Sequence, residues 1–155
     1  MQRFLMQLIL GGVIMPSLMK KINVISRCAA MYKSERFEGE LSVCQHAFAL
    51  FISKNPGRSQ DEIASELCFN KSTVARTLSC LEEQGYVRRE SDSADKRVLR
   101  VYPTDKMLSE CEKIRKLGRE WNSLISADLT EAELSAFLVA IEKIEKRARA
   151  LALEG

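Results

Sequence analysis

The chain has a single histidine in 155 residues, and its five cysteines, at 28, 44, 68, 80 and 111, are odd in number with no Cys-x-x-Cys spacing. With no such spacing and no histidine cluster, a structural zinc site is not expected. There is no phosphate-cradling glycine loop, no recognisable pairing of a nucleophile with a base, and no histidine to spare for general acid-base work. The chain therefore does not read as an enzyme, and no cofactor is expected. Internal repeats and low-complexity tracts are also missing. So is a strong charge imbalance: the formal net charge is +3, and residues 58 to 107 hold nine basic and nine acidic side chains. Bulk charge does not argue for a nucleic-acid partner, so any such argument must come from where the charges sit.

A membrane-spanning run is lacking as well. Arg3 followed by apolar residues from Phe4 to Met15 has the look of a short signal peptide or anchor. It is too short to cross a bilayer, is broken by Gln7 and Gly11-Gly12, and has no small-x-small cleavage site before Pro16. Residues 1–16 read instead as an apolar arm that adds to a dimer interface, or as sequence upstream of a start at Met15 or Met19. The expected location is cytoplasmic, with no membrane partner.

What is present is the composition of one compact globular unit, 46% hydrophobic and 29% charged. Ile63, Ala64 and Leu67 share one helical face, and Val74, Leu78 and Leu81 share another. Ser59 and Glu62 form a capping box at the start of the first helix, and Asn70 is a favoured N-cap for the second. Only Cys68 and Phe69 separate the two, too few residues for an independent loop, so the helices must meet steeply as in a helix-turn-helix. Phe69 is expected to plug the corner.

With its apolar residues turned inward, the second helix points Lys71, Ser72, Ala75, Arg76 and Ser79 the other way. Small residues permit close approach to base edges. Lys71, Ser72 and Thr73 occupy a first turn whose free N–H groups favour phosphate, and Arg76 is long enough to reach a guanine edge. A solvated helix face would look the same in isolation, and it is the segment after it that favours DNA. Gly85 stops the helix; Tyr86–Glu90 and Arg97–Pro103 then read as two strands around a polar Ser91–Lys96 loop. That is a two-stranded wing carrying Arg88, Arg89, Lys96, Arg97 and Arg100 against Glu90, Asp92 and Asp95. An arginine at its tip can enter a minor groove, and Asp95 is placed to orient Arg97.

The chain ends supply long stripes. Leu18, Ile22, Ile25, Ala29 and Tyr32 recur in steps of three and four, as do Met107, Cys111, Ile114, Gly118, Trp121 and Ile125. A third helix starts at Thr130, capped by Glu133, and carries Leu134, Phe137, Leu138, Ile141, Ile144, Ala148 and Leu151 on its apolar face. These stripes suit packing against a second copy; an intramolecular bundle is the alternative. Cys28, Cys44 and Cys111 fall in or beside apolar stripes, where ordinary core packing is expected.

Taken in order, Leu41-Ser42-x-x-Gln45, the helix-turn-helix, Leu81-Glu82-x-x-Gly85, Arg89, Asp95-x-Arg97 and Thr104 resemble the MarR family of winged helix-turn-helix transcription regulators. The resemblance covers nearly all of the chain after Met19, departing where Pro103 replaces the usual apolar residue before Thr104 and where Met107 stands at a common glycine. It implies a mainly α (α+β) fold, with a winged helix-turn-helix lobe at 58–103 and long dimerisation helices drawn from 17–57 and 104–155. It further implies a homodimeric regulator, acting as a repressor on a pseudo-palindromic double-stranded DNA operator. The DNA-contacting residues would be Ser59, Gln60, Asn70, Lys71, Ser72, Thr73, Ala75, Arg76, Ser79, Arg89, Asp95, Lys96 and Arg97. A small aromatic effector would sit near Tyr32, Phe37, His46, Phe48 and Trp121, although a lone histidine on a helix also reads as a partly buried structural residue. Two other readings stand beside this one: a winged-helix protein-interaction module, and a thiol-based redox sensor working through Cys28. DNA affinity unchanged by mild peroxide would remove the second of these.

Overall fold

The computed structural model describes residues 18–153, so the apolar arm expected over 1–16 lies outside the described residues. The expected mainly α architecture with a winged helix-turn-helix is the one that forms. In chain order it comprises α1 (Leu18–Arg36), a 3-10 turn (Val43–Gln45), α2 (His46–Lys54), β1 (Arg58–Ser59), α3 (Gln60–Leu67) and α4 (Lys71–Glu83). The hairpin strands β2 (Val87–Ser91) and β3 (Leu99–Pro103) follow, then α5 (Asp105–Ile125) and α6 (Glu131–Leu153). The chain divides into two compact units between Arg36 and Phe37.

The second unit is organised by the inner face of α4. Val74, Leu78 and Leu81 are fully buried, and Ile63 and Ala64 of α3 join them, as their spacing predicts. Phe48, Ala49 and Ile52 of α2, Val87 and Val101 of the hairpin, and Met107, Cys111 and Ile114 of α5 complete one core. Burying each of the larger side chains contributes about 1.5–3 kcal/mol. The tight corner between α3 and α4 is made by Cys68, which closes α3 in the left-handed conformation at φ 54°. Phe69 does not plug that corner: it is 41% exposed, with one ring face stacked on Phe48 at 5.3 Å. A two-residue connection leaves the chain too little length to turn that ring fully inward.

Helix α4 stops where Gly85 takes φ 75°. The Gly85 N–H bonds the Glu82 carbonyl (2.9 Å) and the Tyr86 N–H bonds the Leu81 carbonyl (2.8 Å), the paired arrangement that a left-handed residue after a helix makes available. Tyr86 is thereby delivered into the core beside Leu81 as β2 begins.

The sheet has three strands rather than the two expected of the wing. β3 is central, pairing antiparallel with β2 (Val87 opposite Pro103, Ser91 opposite Leu99) and with β1 (Arg58 opposite Val101). Two residues are too short to leave an alternating pattern in the sequence, which is why Arg58–Ser59 reads only as the run-in to α3. Thr104 follows β3 directly and caps α5: its hydroxyl accepts the Met107 N–H and lies 2.8 Å from the Gly85 carbonyl, so sheet and helix are joined without a loop. Pro103 fits there as the terminal strand residue, and Met107 is fully buried.

Along α5 the apolar stripe changes its role. Met107, Cys111, Ile114 and Leu117 are core of this chain, whereas Leu124 and Ile125 are more than half exposed. α1 and α6 contain no buried residue among those described. Cys28 and Cys44 are exposed, not packed as expected; a lone stripe residue is covered only if another element lies over it, and of the three only Cys111 has that cover. His46 is 4% exposed, with Nε2 3.3 Å from the Leu41 carbonyl oxygen. No described helix is long and apolar enough to cross a membrane.

Because Leu78 has no exposed surface at the junction of α4 with this core, Leu78→Ala should lower stability by about 2–5 kcal/mol in urea denaturation. A loss below about 1 kcal/mol would show that the core closes over the cavity.

Candidate nucleic-acid interface

The outer face of α4 opens at its N-terminus. Asn70 takes an extended backbone, and its Oδ1 accepts the Thr73 N–H at 2.8 Å and the Ser72 hydroxyl at 2.9 Å. The N–H groups of Lys71 and Ser72 are left at the positive end of a 13-residue helix with no partner among the described residues. The Lys71 amine rests 2.9 Å from Asp61 on the exposed start of α3. Arg76, one turn on, is exposed and has no hydrogen bond or ion pair among the described residues. Ala75 and Ser79, half-buried, leave the helix backbone accessible between these long cations.

The wing is shaped by an aspartate-rich turn. Asp92 Oδ1 accepts the N–H groups of Ala94 (2.7 Å) and Asp95 (3.2 Å), and Asp95 Oδ1 accepts that of Arg97 (3.0 Å). These bonds pin a loop that would otherwise be free. Arg97 stands at its edge, its side chain 93% exposed and its Nε 3.5 Å from Asp95 Oδ1. Arg97 lines a shallow cleft together with Ser59, Gln60 and Asp61, which brings the first turn of α3 and the wing to one place. Lys96 is exposed next to it.

The other wing arginines are engaged internally. Arg89 donates from Nε to Glu82 at 2.8 Å, and Ser79 lies 3.5 Å from its terminal nitrogen, so it clamps the hairpin to α4. Arg88 pairs with Glu90 and lies over the Tyr102 ring at 4.6 Å. Arg100 contributes to structure rather than to the wing's surface charge: it donates to Asp92 at 2.6 Å and Glu62 at 2.9 Å, with the Gly57 carbonyl at 3.4 Å. This brace was missed in the sequence because its partners lie 8 and 38 residues away, spacings with no local signature.

Electrostatics follow these contacts. The Ser59 N–H, the Arg58 guanidinium at 2.7 Å and the Ser59 hydroxyl hold the Glu62 carboxyl at a pKa of about 2. Arg100, then the backbone N–H groups of Ala94 and Asp95, lower that of Asp92. Arg89 lowers that of Glu82 against the opposing effect of burial.

Of the residues expected near an effector, Phe37 and His46 are in ring contact, edge to face at 4.4 Å, and Phe48 is a core residue only 2% exposed. Trp121 is half-buried on α5. Tyr32 belongs to the other unit, under the Arg36 guanidinium at 4.2 Å, and Cys28 is exposed on the same helix. Among the described residues no cluster of histidine, cysteine and carboxylate suits a metal ion.

Comparison with known proteins adds an independent line. A sequence model described as MarR family matches residues 41–98. The chain is 29% identical over 114 residues, 74% of its length and 79% of the relative's, to the HTH-type transcriptional regulator BilQ of Clostridium symbiosum. It superposes on the crystal structure of MarR with a TM-score of 0.80 at 28% identity, covering 92% of this chain and 98% of that one. In fold it also matches a MarR family transcriptional regulator from Listeria monocytogenes complexed with 26mer DNA. There the TM-score is 0.82 at 23% identity, over 90% of this chain and 93% of that one.

Glu62 makes a measurable contribution to acid stability. Its pKa lies below the ordinary 4.5, so its stabilisation is complete above about 4.5 and is lost as pH falls toward 2. Urea denaturation should find Glu62→Gln less stable than wild type at pH 7, with the gap closing by pH 2.5. An equal gap at both values would assign the effect to shape and not to charge.

Proposed function

We propose that the chain is a MarR-family transcriptional regulator that binds double-stranded DNA as a homodimer and represses by occupying a pseudo-palindromic operator, a reading supported by its similarity to that family over residues 41–98 and to BilQ and MarR over most of its length. One observation carries the reading: the open end of α4 presents two free N–H groups, Lys71 and an unpaired Arg76, while the adjacent hairpin holds Arg97 out in solvent. That arrangement suits a helix in the major groove with an arginine in the neighbouring minor groove. Asn70, Ser72 and Thr73 at the helix start, and Ser59 and Gln60 at the start of α3, are placed for phosphate contacts that fix register.

The homodimer is supported by what each terminal helix leaves uncovered. Val24, Ile25 and Met31 of α1, and Phe137, Leu138 and Val139 of α6, are each about half exposed or more. Leu124 and Ile125 at the end of α5 are exposed to a similar degree. Apolar faces of this kind call for a partner, and a second copy related by a two-fold axis matches two half-sites about one helical turn apart. An operator overlapping a promoter is then closed to polymerase by simple occupancy.

Selection from a random duplex library at about physiological salt tests the proposal. The expected product is an inverted repeat with half-site centres about ten base pairs apart; absence of any enrichment would overturn it. On that operator Arg76→Ala should lose about 1–3 kcal/mol and much less on random DNA, with Arg97→Ala acting mainly on A·T-rich flanks. Equal losses on both DNAs would remove base reading by Arg76.

A further inference from the structure

Helix α3 is missing something at its far end. It carries Asp61 and Glu62 in its first turn, but its last turn has no basic residue to face the negative end of the dipole. The carbonyls of Ala64 and Ser65 are met by the N–H groups of Phe69 and Cys68. The carbonyl of Glu66 is met from a residue 83 positions away: Arg149, near the end of α6, donates to it at 2.9 Å, and the same nitrogen lies 3.2 Å from Cys68 Sγ. The guanidinium is itself oriented by Glu145 one turn earlier, with Nε and a terminal nitrogen each 2.9 Å from Glu145 Oε1. Among the described residues, Arg149 alone supplies hydrogen bonds between α6 and the helix-turn-helix lobe. α6 has no buried residue otherwise, so this polar contact is not incidental to an apolar seat.

We propose that Arg149 is a positioning residue: it latches the C-terminal helix to the α3–α4 corner and so sets the angle at which α4 is presented to DNA. The inference rests on the DNA-binding reading above. In a dimer held through its terminal helices, the separation of the two copies of α4 depends on how firmly each lobe is tied to those helices. At one end the tie runs through the Thr104 junction and the core that Met107, Cys111 and Ile114 of α5 share with the lobe. The Arg149 latch adds a second attachment at the opposite end of the helix-turn-helix, and two attachments resist a rotation that one permits. Such a residue touches no DNA. It acts through the corner residue Cys68, whose left-handed backbone fixes the angle between α3 and α4.

The test compares full-length wild type, Arg149→Ala and Arg149→Lys on the selected operator, on versions lengthened or shortened by one base pair between half-sites, and on random duplex. A charge-assisted hydrogen bond of this kind supports an expected loss of about tenfold on the operator for Arg149→Ala. Expected with it are a flatter dependence on half-site spacing, unchanged binding to random DNA, an unchanged dimer, and recovery of most of the loss in Arg149→Lys. Amide hydrogen exchange gives a DNA-independent readout: Cys68 and Phe69 should exchange faster in Arg149→Ala than in wild type. Wild-type spacing dependence and wild-type exchange in Arg149→Ala would overturn the latch. So would an equal loss on every DNA accompanied by a lower melting temperature, which would mark a merely structural role. If the wild type itself selects no operator, the DNA-binding reading fails first, and unchanged exchange at the corner would then dispose of the latch separately.

Discussion

The Glu62 carboxylate is the point on which the exposed geometry of the lobe turns. One oxygen accepts the Ser59 N–H, completing the cap of α3; Arg58 lies against the other, and Arg100 reaches the first from the central strand. Arg100 in turn holds Asp92, and Asp92 shapes the loop that carries Arg97 outward. A single carboxylate thus joins the start of one helix to the tip of a hairpin. The join is partly exposed, so its value lies less in net stability than in direction: it leaves the wing few alternative orientations.

Charge in this lobe is distributed by use. Arg88, Arg89 and Arg100 are balanced by Glu90, Glu82, Glu62 and Asp92; Arg89 and Arg100 attach the sheet to the helices, and Arg88 stays within the hairpin. Arg76 and Arg97 are left facing solvent, with Lys71 loosely held by Asp61. Overall charge near neutrality is therefore compatible with a focused positive surface, because Glu62, Glu82, Glu90 and Asp92 are already committed to the structural arginines.

Helix positions were legible because they depend on local rules. The spacing of Val74, Leu78 and Leu81, the cap residues Ser59 and Asn70, and the left-handed stop at Gly85 all act within one or two turns of the chain. The outward face of α4 followed from the same periodicity. Less legible were β1, which is too short to show an alternation, and the double life of the α5 stripe. Met107 to Leu117 and Leu124 to Ile125 share one pattern, yet only the first part lies against α2. Periodicity states that a face is apolar; it does not state what covers it.

The sequence by itself determined the secondary elements, the helix-turn-helix and the outward set on α4, since each of these is decided by dihedral preferences, caps and side-chain period over short distances. Tertiary structure decided which charges are spent and which stay free: that Arg100 braces Glu62 and Asp92, that Arg89 clamps Glu82, that Cys44 is exposed and Cys111 is not, and that Arg149 completes α3. These pairings join residues up to 83 positions apart, and a charge carries no mark of its partner until the chain has brought the two within a hydrogen bond of each other.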